Sequence, residues 1–200
     1  MDNYEYLIAG LPVLVNDGAA GQKLSAYALI EEIRELSSAK DNALFDFLLS
    51  GYDEQNFTPE FYRSALSHSN TFIREFFRFD LNVRNAKVRY LNESLGRPAD
   101  QDIFLEDDGE FEEREKVRSI LYGKDLLARE KGLDTLMWDK IDELNTFDDF
   151  NVSALLGYIA KLKIIDRWMQ LDEAAGREMF RRLIAEIRGT FKGVEFNDNQ

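Results

Sequence analysis

No cysteine occurs in the 200-residue sequence, which excludes a disulfide framework, an iron–sulfur cluster and a thiolate zinc site, and is compatible with a reducing compartment. Histidine is almost as scarce. The single His68, in Ser67-His68-Ser69, leaves no room within one chain for a two-histidine zinc site, a Cys-His nucleophile pair or a Glu-x-x-His diiron pair. Three prolines and twelve glycines give little punctuation, where a chain of many short strands would need a turn signal about every 8 to 12 residues. That scarcity favours helices. Long apolar runs are missing too: the most apolar stretch, Val152 to Ala160, is cut off by Lys161 and Lys163, far short of the roughly 20 residues that cross a bilayer. The opening Met1-Asp2-Asn3-Tyr4-Glu5 carries acids where a secretory signal would carry Lys or Arg.

Negative charge, by contrast, is abundant. With 38 Asp and Glu against 25 Lys and Arg, the formal charge of -13 repels nucleic-acid phosphates and anionic lipid surfaces. No nucleic-acid partner is expected, and a basic protein is the easier match; solubility alone is the plain alternative. A hydrophobic content of 44% in this length can bury one good core. The expected organisation is an all-α, multi-helix bundle with two long amphipathic helices. It forms one domain over 1–188, with halves at 1–97 and 110–188 about an acidic loop at 98–109, and a fraying tail at 189–200.

Caps locate the helices. Thr58-Pro59-Glu60 supplies an N-cap hydroxyl, a first-turn proline and an acid, and predicts a short helix over 59–67, stapled by Phe57 and Phe61. Phe72, Phe76, Phe79, Val83, Ala86 and Tyr90 recur at three and four residues and predict a long helix to about Leu95, ended by Gly96 and Pro98. A second long helix is expected from near Asp148, capped by Asp148 and Asp149, to about Gly176, with Leu155, Leu156, Ile159, Leu162 and Ile165 on one side. Ala26 to Leu36 forms a further amphipathic helix, and Leu44, Phe47 and Leu48 mark a shorter one before Gly51. Between the long helices, 112–121, 125–131 and 134–144 read as three short helices separated by glycines.

Signatures of chemistry are mostly absent. An EF-hand reading of the acidic stretch Ala99 to Glu113 with Gly109 at position six puts Phe104 at position one, so the motif fails and a solvated loop is expected. Gly18-Ala19-Ala20-Gly21-Gln22-Lys23 lacks the spacing and final hydroxyl of a phosphate loop. No Gly-x-Ser-x-Gly turn supports a Ser-His-Asp triad, and His68 reads as a helix-end residue favouring the dipole. Asp107-Asp108 and Asp148-Asp149 sit in polar runs, where no burial raises a pKa for acid–base work. In Phe72-Ile73-Arg74-Glu75-Phe76-Phe77-Arg78-Phe79 the rings at 72, 76 and 79 share a face away from the arginines, so core packing wins over base stacking. Phe77 lies off that stripe, turned to a second helix or a partner.

Three segments together resemble the C (or d) subunit family of V-type rotary ATPases. Tyr4-Glu5-Tyr6-Leu7-Ile8-Ala9 is similar to the family's Tyr-x-Tyr-Leu-x-Ala opening. Phe79-Asp80-Leu81-Asn82-Val83-Arg84-Asn85 resembles its Asp-Leu-x-Asn helix, and Leu155 to Trp168, with Gly157-Tyr158-Ile159-Ala160-Lys161 and Asp166, resembles its late helix. Ala9 to Pro12 is also similar to a small uncharacterised bacterial family encoded with V-type ATPase subunits. Two departures stand out: Ala86 to Arg89 does not reproduce the usual Leu-Arg-Ala-Lys, and Leu162 replaces a late-helix acid. Family members are also longer, with three helical modules forming a funnel, whereas this chain has room for about two at roughly 100 residues each. An echo of Leu91 to Arg97 in Leu171 to Arg177, eighty positions on, fits two related modules of a truncated funnel.

The resemblance implies a non-enzymatic socket subunit with no cofactor and no catalytic or metal residue. It would sit on the cytoplasmic side of the cell membrane, without a span of its own, between the proteolipid ring and the shaft of the D and F subunits. The motif positions are Tyr4, Tyr6, Asp80, Asn82, Arg84, Asn85, Tyr158, Lys161 and Asp166. For Asp80, Asn82, Arg84 and Asn85, which occupy more than one helical face, a buried polar network is favoured over an interface. Tyr4 and Tyr6 are expected to pack an N-terminal segment on the body with hydroxyls reaching water. Two alternatives remain: a helical assembly or adaptor factor for that complex, and a hydrolase using carboxylates and a metal at the loop 99–113.

Overall fold

A computed structural model describes residues 4–16, 25–105, 111–148 and 150–170. Among these the fold is all-helical, with no strand. In order come α1 (Glu5–Gly10), α2 (Ala26–Glu35), α3 (Ala39–Ser50), a 3-10 turn (Glu54–Asn56), α4 (Pro59–Leu66), α5 (Thr71–Ser94), α6 (Arg114–Leu121), α7 (Leu126–Leu144) and α8 (Val152–Gln170). The expected helix end near Gly176, the tail 189–200, the second half of the echo, Gly18 to Lys23 and the pair Asp107-Asp108 lie outside the described residues.

Local chemistry sets the helix starts. Ser25, Ser38, Thr58, Asn70 and Asp125 each accept a backbone amide of the first turn through their side chains, satisfying donors that the helix itself cannot. The long α5 stops at Leu95, and Gly96 follows at φ +65°, a conformation that only glycine adopts without a Cβ penalty. Asp149 lies outside the described residues, and the start of α8 differs from expectation at Asp148. Its cap is Asn151, whose Oδ1 accepts the Ser153 amide at 2.8 Å, while Asp148 holds the Asn151 side-chain amide at 2.5 Å.

Residues 125–144 also differ, forming one continuous α7 rather than two helices broken at Gly132. The glycine serves packing there. A Cβ on Gly132 would lie 3.0 Å from Ile120 Cγ2, so its absence lets α6 settle on α7.

Two cores organise the bundle. The larger joins α2, α3, α4, the first half of α5, Trp138 and Ile141 of α7, and α8; Ile33, Phe45, Leu48, Leu155, Leu156 and Ile159 are wholly shielded in it. Because α8 packs on α2 and α3 as well as α7, segments from both sides of the 98–109 stretch share this core. The smaller core gathers Phe79, Val83, Phe111, Val117, Leu121, Leu133 and Leu136 from α5, α6 and α7. As the stripe requires, α5 feeds both. Phe77 turns away from it toward α3 and α4: its ring meets Phe61 edge-on at 5.0 Å and fills the space that a Cβ on Gly51 would enter at 2.4 Å.

Candidate functional site

The motif residues of α5 build a latch between helices. Tyr62, 1% exposed on α4, donates its hydroxyl to Asp80 Oδ2, and Arg84, one turn along, brings Nε to 2.8 Å of the same oxygen. The Arg84 guanidinium lies 4.0 Å above the Phe57 ring, which ties in the chain ahead of α4. Burial, reinforced by the Asp80 charge, pushes the Tyr62 phenol well above its ordinary pKa and keeps it a donor. For Arg84, burial alone would lower the pKa, yet Asp80 and Tyr62 more than offset it and the guanidinium stays charged. Phenol and guanidinium both converge on one carboxylate oxygen, an arrangement that fixes position.

Asn85 and Asn92 anchor the chain that leaves α5. Asn85, 2% exposed, donates to the Leu105 carbonyl at 2.9 Å, and Asn92 donates to the Ala99 and Gln101 carbonyls at 3.1 and 2.7 Å. Buried amides of this kind satisfy loop carbonyls that would otherwise lack partners. Asn82 is buried at the edge of the smaller core.

A second polar cluster joins α7 and α8. Asp134 accepts hydrogen bonds from Arg167 and from the Trp168 indole, the latter at 2.7 Å. Burial raises its pKa, and Arg167, Trp168 and their hydrogen bonds only partly counter that. The half-buried Tyr52, at the end of α3, has its phenol pushed upward by burial and then by the carboxylates of both Asp80 and Asp134, which brackets it between the two clusters.

The motif positions of α8 face different neighbours. Lys161 pairs with Asp142 and lies 4.7 Å above the Trp138 ring; Asp166 accepts from Lys163 at 3.3 Å and Gln170 at 2.9 Å. Tyr158 donates to the Pro12 carbonyl at 2.9 Å, with its pKa pushed up to about 12 by burial and then by Glu32. It therefore pins the N-terminal segment. Tyr4 does the same from the other side: its hydroxyl donates to Asp41 Oδ2 at 2.5 Å instead of reaching water, and its own amide binds the Phe150 carbonyl. Tyr6, in contrast to expectation, is 94% exposed, because α1 turns only Leu7 and Ile8 toward the body. His68 lies just beyond the end of α4. Its Nδ1 accepts the Asn70 amide at 3.0 Å and its ring packs 4.8 Å from Phe47.

A groove between α5 and α6 was not visible from motifs. It encloses about 190 Å³ between Ala86, Tyr90, Phe111 and Tyr122, with Arg89, Arg114 and Arg118 and also Glu93 and Glu115 on its walls. Residues 84–97 and 114–131 hold ten of the 25 Lys and Arg and four of the 38 acids, but eight more acids lie between them at 98–113, so no charge imbalance marks the groove in the sequence. Nothing local flags Tyr62 as the partner of Asp80 eighteen positions later. Among the described residues, no three His, Asp or Glu side chains converge to hold a metal ion, and no helix is long and apolar enough to cross a membrane.

Residues 105–190 match the model of a family described as a protein of unknown function, DUF2764, a stretch that covers α6, α7, α8 and the α6 wall of the groove but not the Asp80 latch. No curated protein and no solved structure matches the chain.

Proposed function

We propose that the chain is a non-enzymatic central-stalk subunit of a V-type rotary ATPase, a socket that couples the D and F shaft to the proteolipid ring on the cytoplasmic face of the membrane. The observation that carries this reading is the ordered set of family-like segments at Tyr4 to Ala9, Phe79 to Asn85 and Leu155 to Trp168. Two of the three fall on long helices of one core. Torque transmission asks for a scaffold that does not yield, and close-packed helices tied by Tyr62-Asp80-Arg84 and Asp134-Arg167-Trp168 meet that requirement. The overall negative charge would speed docking of a basic shaft tip and would do so less at high salt.

An assembly or adaptor factor for the same complex is the second reading. It is favoured by the inward placement of the α5 motif: Asn82 and Asn85 are buried and Asp80 is engaged within the fold, so the motif itself offers little to a ring. A salt-graded pull-down of the tagged protein from native membranes tests the proposal. Recovery of the D and F subunits with the proteolipid supports the socket. Recovery of neither, from membranes that contain intact ATPase, overturns the socket reading, and stoichiometric co-purification with the rotor separates it from an assembly factor.

A further inference from the structure

We infer that residues 177–188 of this chain dock in cis on exposed leucines where α5 ends and α7 begins, and so cover an end of the bundle that the described helices leave apolar. The inference does not rest on the rotor reading.

Helix register builds the surface. Lys87 of α5 meets Glu130 of α7 at 3.9 Å, and Arg167 of α8 meets the same Glu130 at 3.3 Å, so the three helices share a face there. Arg129 lies 5.3 Å from the Tyr90 ring and Lys140 5.6 Å from the Phe79 ring, which makes α5 and α7 antiparallel. Residues three and four apart lie on one side of a helix. One and two turns past Lys87 stand Leu91 and Leu95; one turn before Glu130 stand Leu126 and Leu127. These four are 55%, 62%, 70% and 64% exposed, and both rows run to the same end of the bundle. Apolar surface gathered in this way marks an interaction site rather than a chance exposure.

The chain itself leads to this surface. Lys161 pairs with Asp142 and Trp168 with Asp134, so α8 also runs antiparallel to α7 and reaches Gln170 heading toward the leucine end. Residues 171–176 can span up to about 20 Å, more than the one or two helical turns between Arg167 and the leucines. Gly176 is a stop signal at which the chain can reverse. After it, Phe180, Leu183, Ile184 and Ile187 recur at three and four positions, the spacing of one apolar stripe. The family match at 105–190 takes in Leu126, Leu127 and this stripe together, as parts of one folding unit require. A short tether gives the segment an effective concentration in the millimolar range, which favours it over a second copy or a foreign helix. Four arginines against two glutamates in 177–188 would also suit an anionic membrane, but the net charge of -13 opposes that occupant.

The absence of cysteine allows a direct test on the full chain, with a single nitroxide attached through Arg182→Cys. Amide resonances of residues 91–95 and 126–127 should broaden, while those near Thr71, about 30 Å away along α5, should not. Melting supplies a second measurement. Leu126→Gln/Leu127→Gln and Phe180→Gln/Ile184→Gln should each lower the thermal midpoint by several degrees. All four changes together should lower it little further, because both pairs remove the same contact. Glutamine keeps helix propensity close to that of leucine, and circular dichroism should report every variant as folded. Four results would each overturn the inference: no broadening at the leucines, broadening carried from labelled to unlabelled molecules in a mixture, melting effects that are absent or additive, and flotation with phosphatidylglycerol vesicles that needs Phe180 and Ile184.

Discussion

Around Leu156 and Ile159 the chain shields its side chains completely, whereas around Tyr90 and Tyr122 it leaves aromatic rings partly in solvent and covers them with guanidinium groups. Among the described residues the first core holds 22 buried side chains and the second seven, so their stabilities rest on different terms. Burial contributes about 25 cal/mol per Å² of apolar surface, and the larger core gains from this on every side. Cation–π contacts at exposed positions are worth only about 0.5 to 1 kcal/mol each. The α5–α6 region is thus held less tightly.

The sharpest way to break this comparison is a matched pair of truncations. Leu156→Ala and Leu133→Ala remove the same atoms from the larger and smaller core, and such changes cost about 2 to 5 kcal/mol depending on how far the site collapses. Urea unfolding should place Leu156→Ala near the top of that range and Leu133→Ala near the bottom; equal losses would mean that the two cores are energetically one.

The glycines give a second contrast. Gly51→Ala drives a methyl into the buried Phe77 ring at 2.4 Å and should cost about 3 kcal/mol by overpacking. Gly132→Ala meets only Ile120 at 3.0 Å, and the gain of about 1 kcal/mol in helix propensity should offset the shift. Thermal melts should therefore show one large drop and one near-neutral change, and a large drop in both would contradict the looser packing assigned to α6.

Asp80→Asn comes next in size. Asparagine can still accept from Tyr62 but leaves Arg84 partly buried without its counter-charge, which should cost about 1 to 2 kcal/mol and loosen α4 in hydrogen exchange. Protection unchanged in α4 would remove the latch from the account.

The smallest effect is a pH dependence. Asp134 has its pKa raised from 3.8 by burial, so the folded chain holds this proton to higher pH than the unfolded chain does. Its contribution is full below the unfolded value and is lost as pH rises through the raised one. Between pH 7 and pH 4 the wild type should gain on Asp134→Asn in melting midpoint; a variant that tracks the wild type throughout would refute the raised value.

Much of this architecture was legible before any coordinates. Thr58-Pro59, the Phe72 to Tyr90 stripe and Gly96 mark their helices because caps and periodicity act within a few residues. Gly132 misled because a glycine that ends a helix and one that admits a neighbouring helix look alike until Ile120 is seen against it. Tyr4 and Tyr6 are chemically identical in the motif, and only the turn of α1 decides that one reaches Asp41 and the other reaches solvent. The Asp80 network was anticipated, but its partners Tyr62 and Phe57 come from tertiary packing. The groove between α5 and α6 is not legible in the sequence because the two helices that line it meet only in the fold.

The most direct test of the central claim is the copy number of this chain in V-type ATPase purified through a tag on a catalytic subunit. The socket reading predicts one copy per central stalk, retained with the D and F subunits through gel filtration. Intact enzyme that contains D, F and proteolipid but lacks this chain would contradict it.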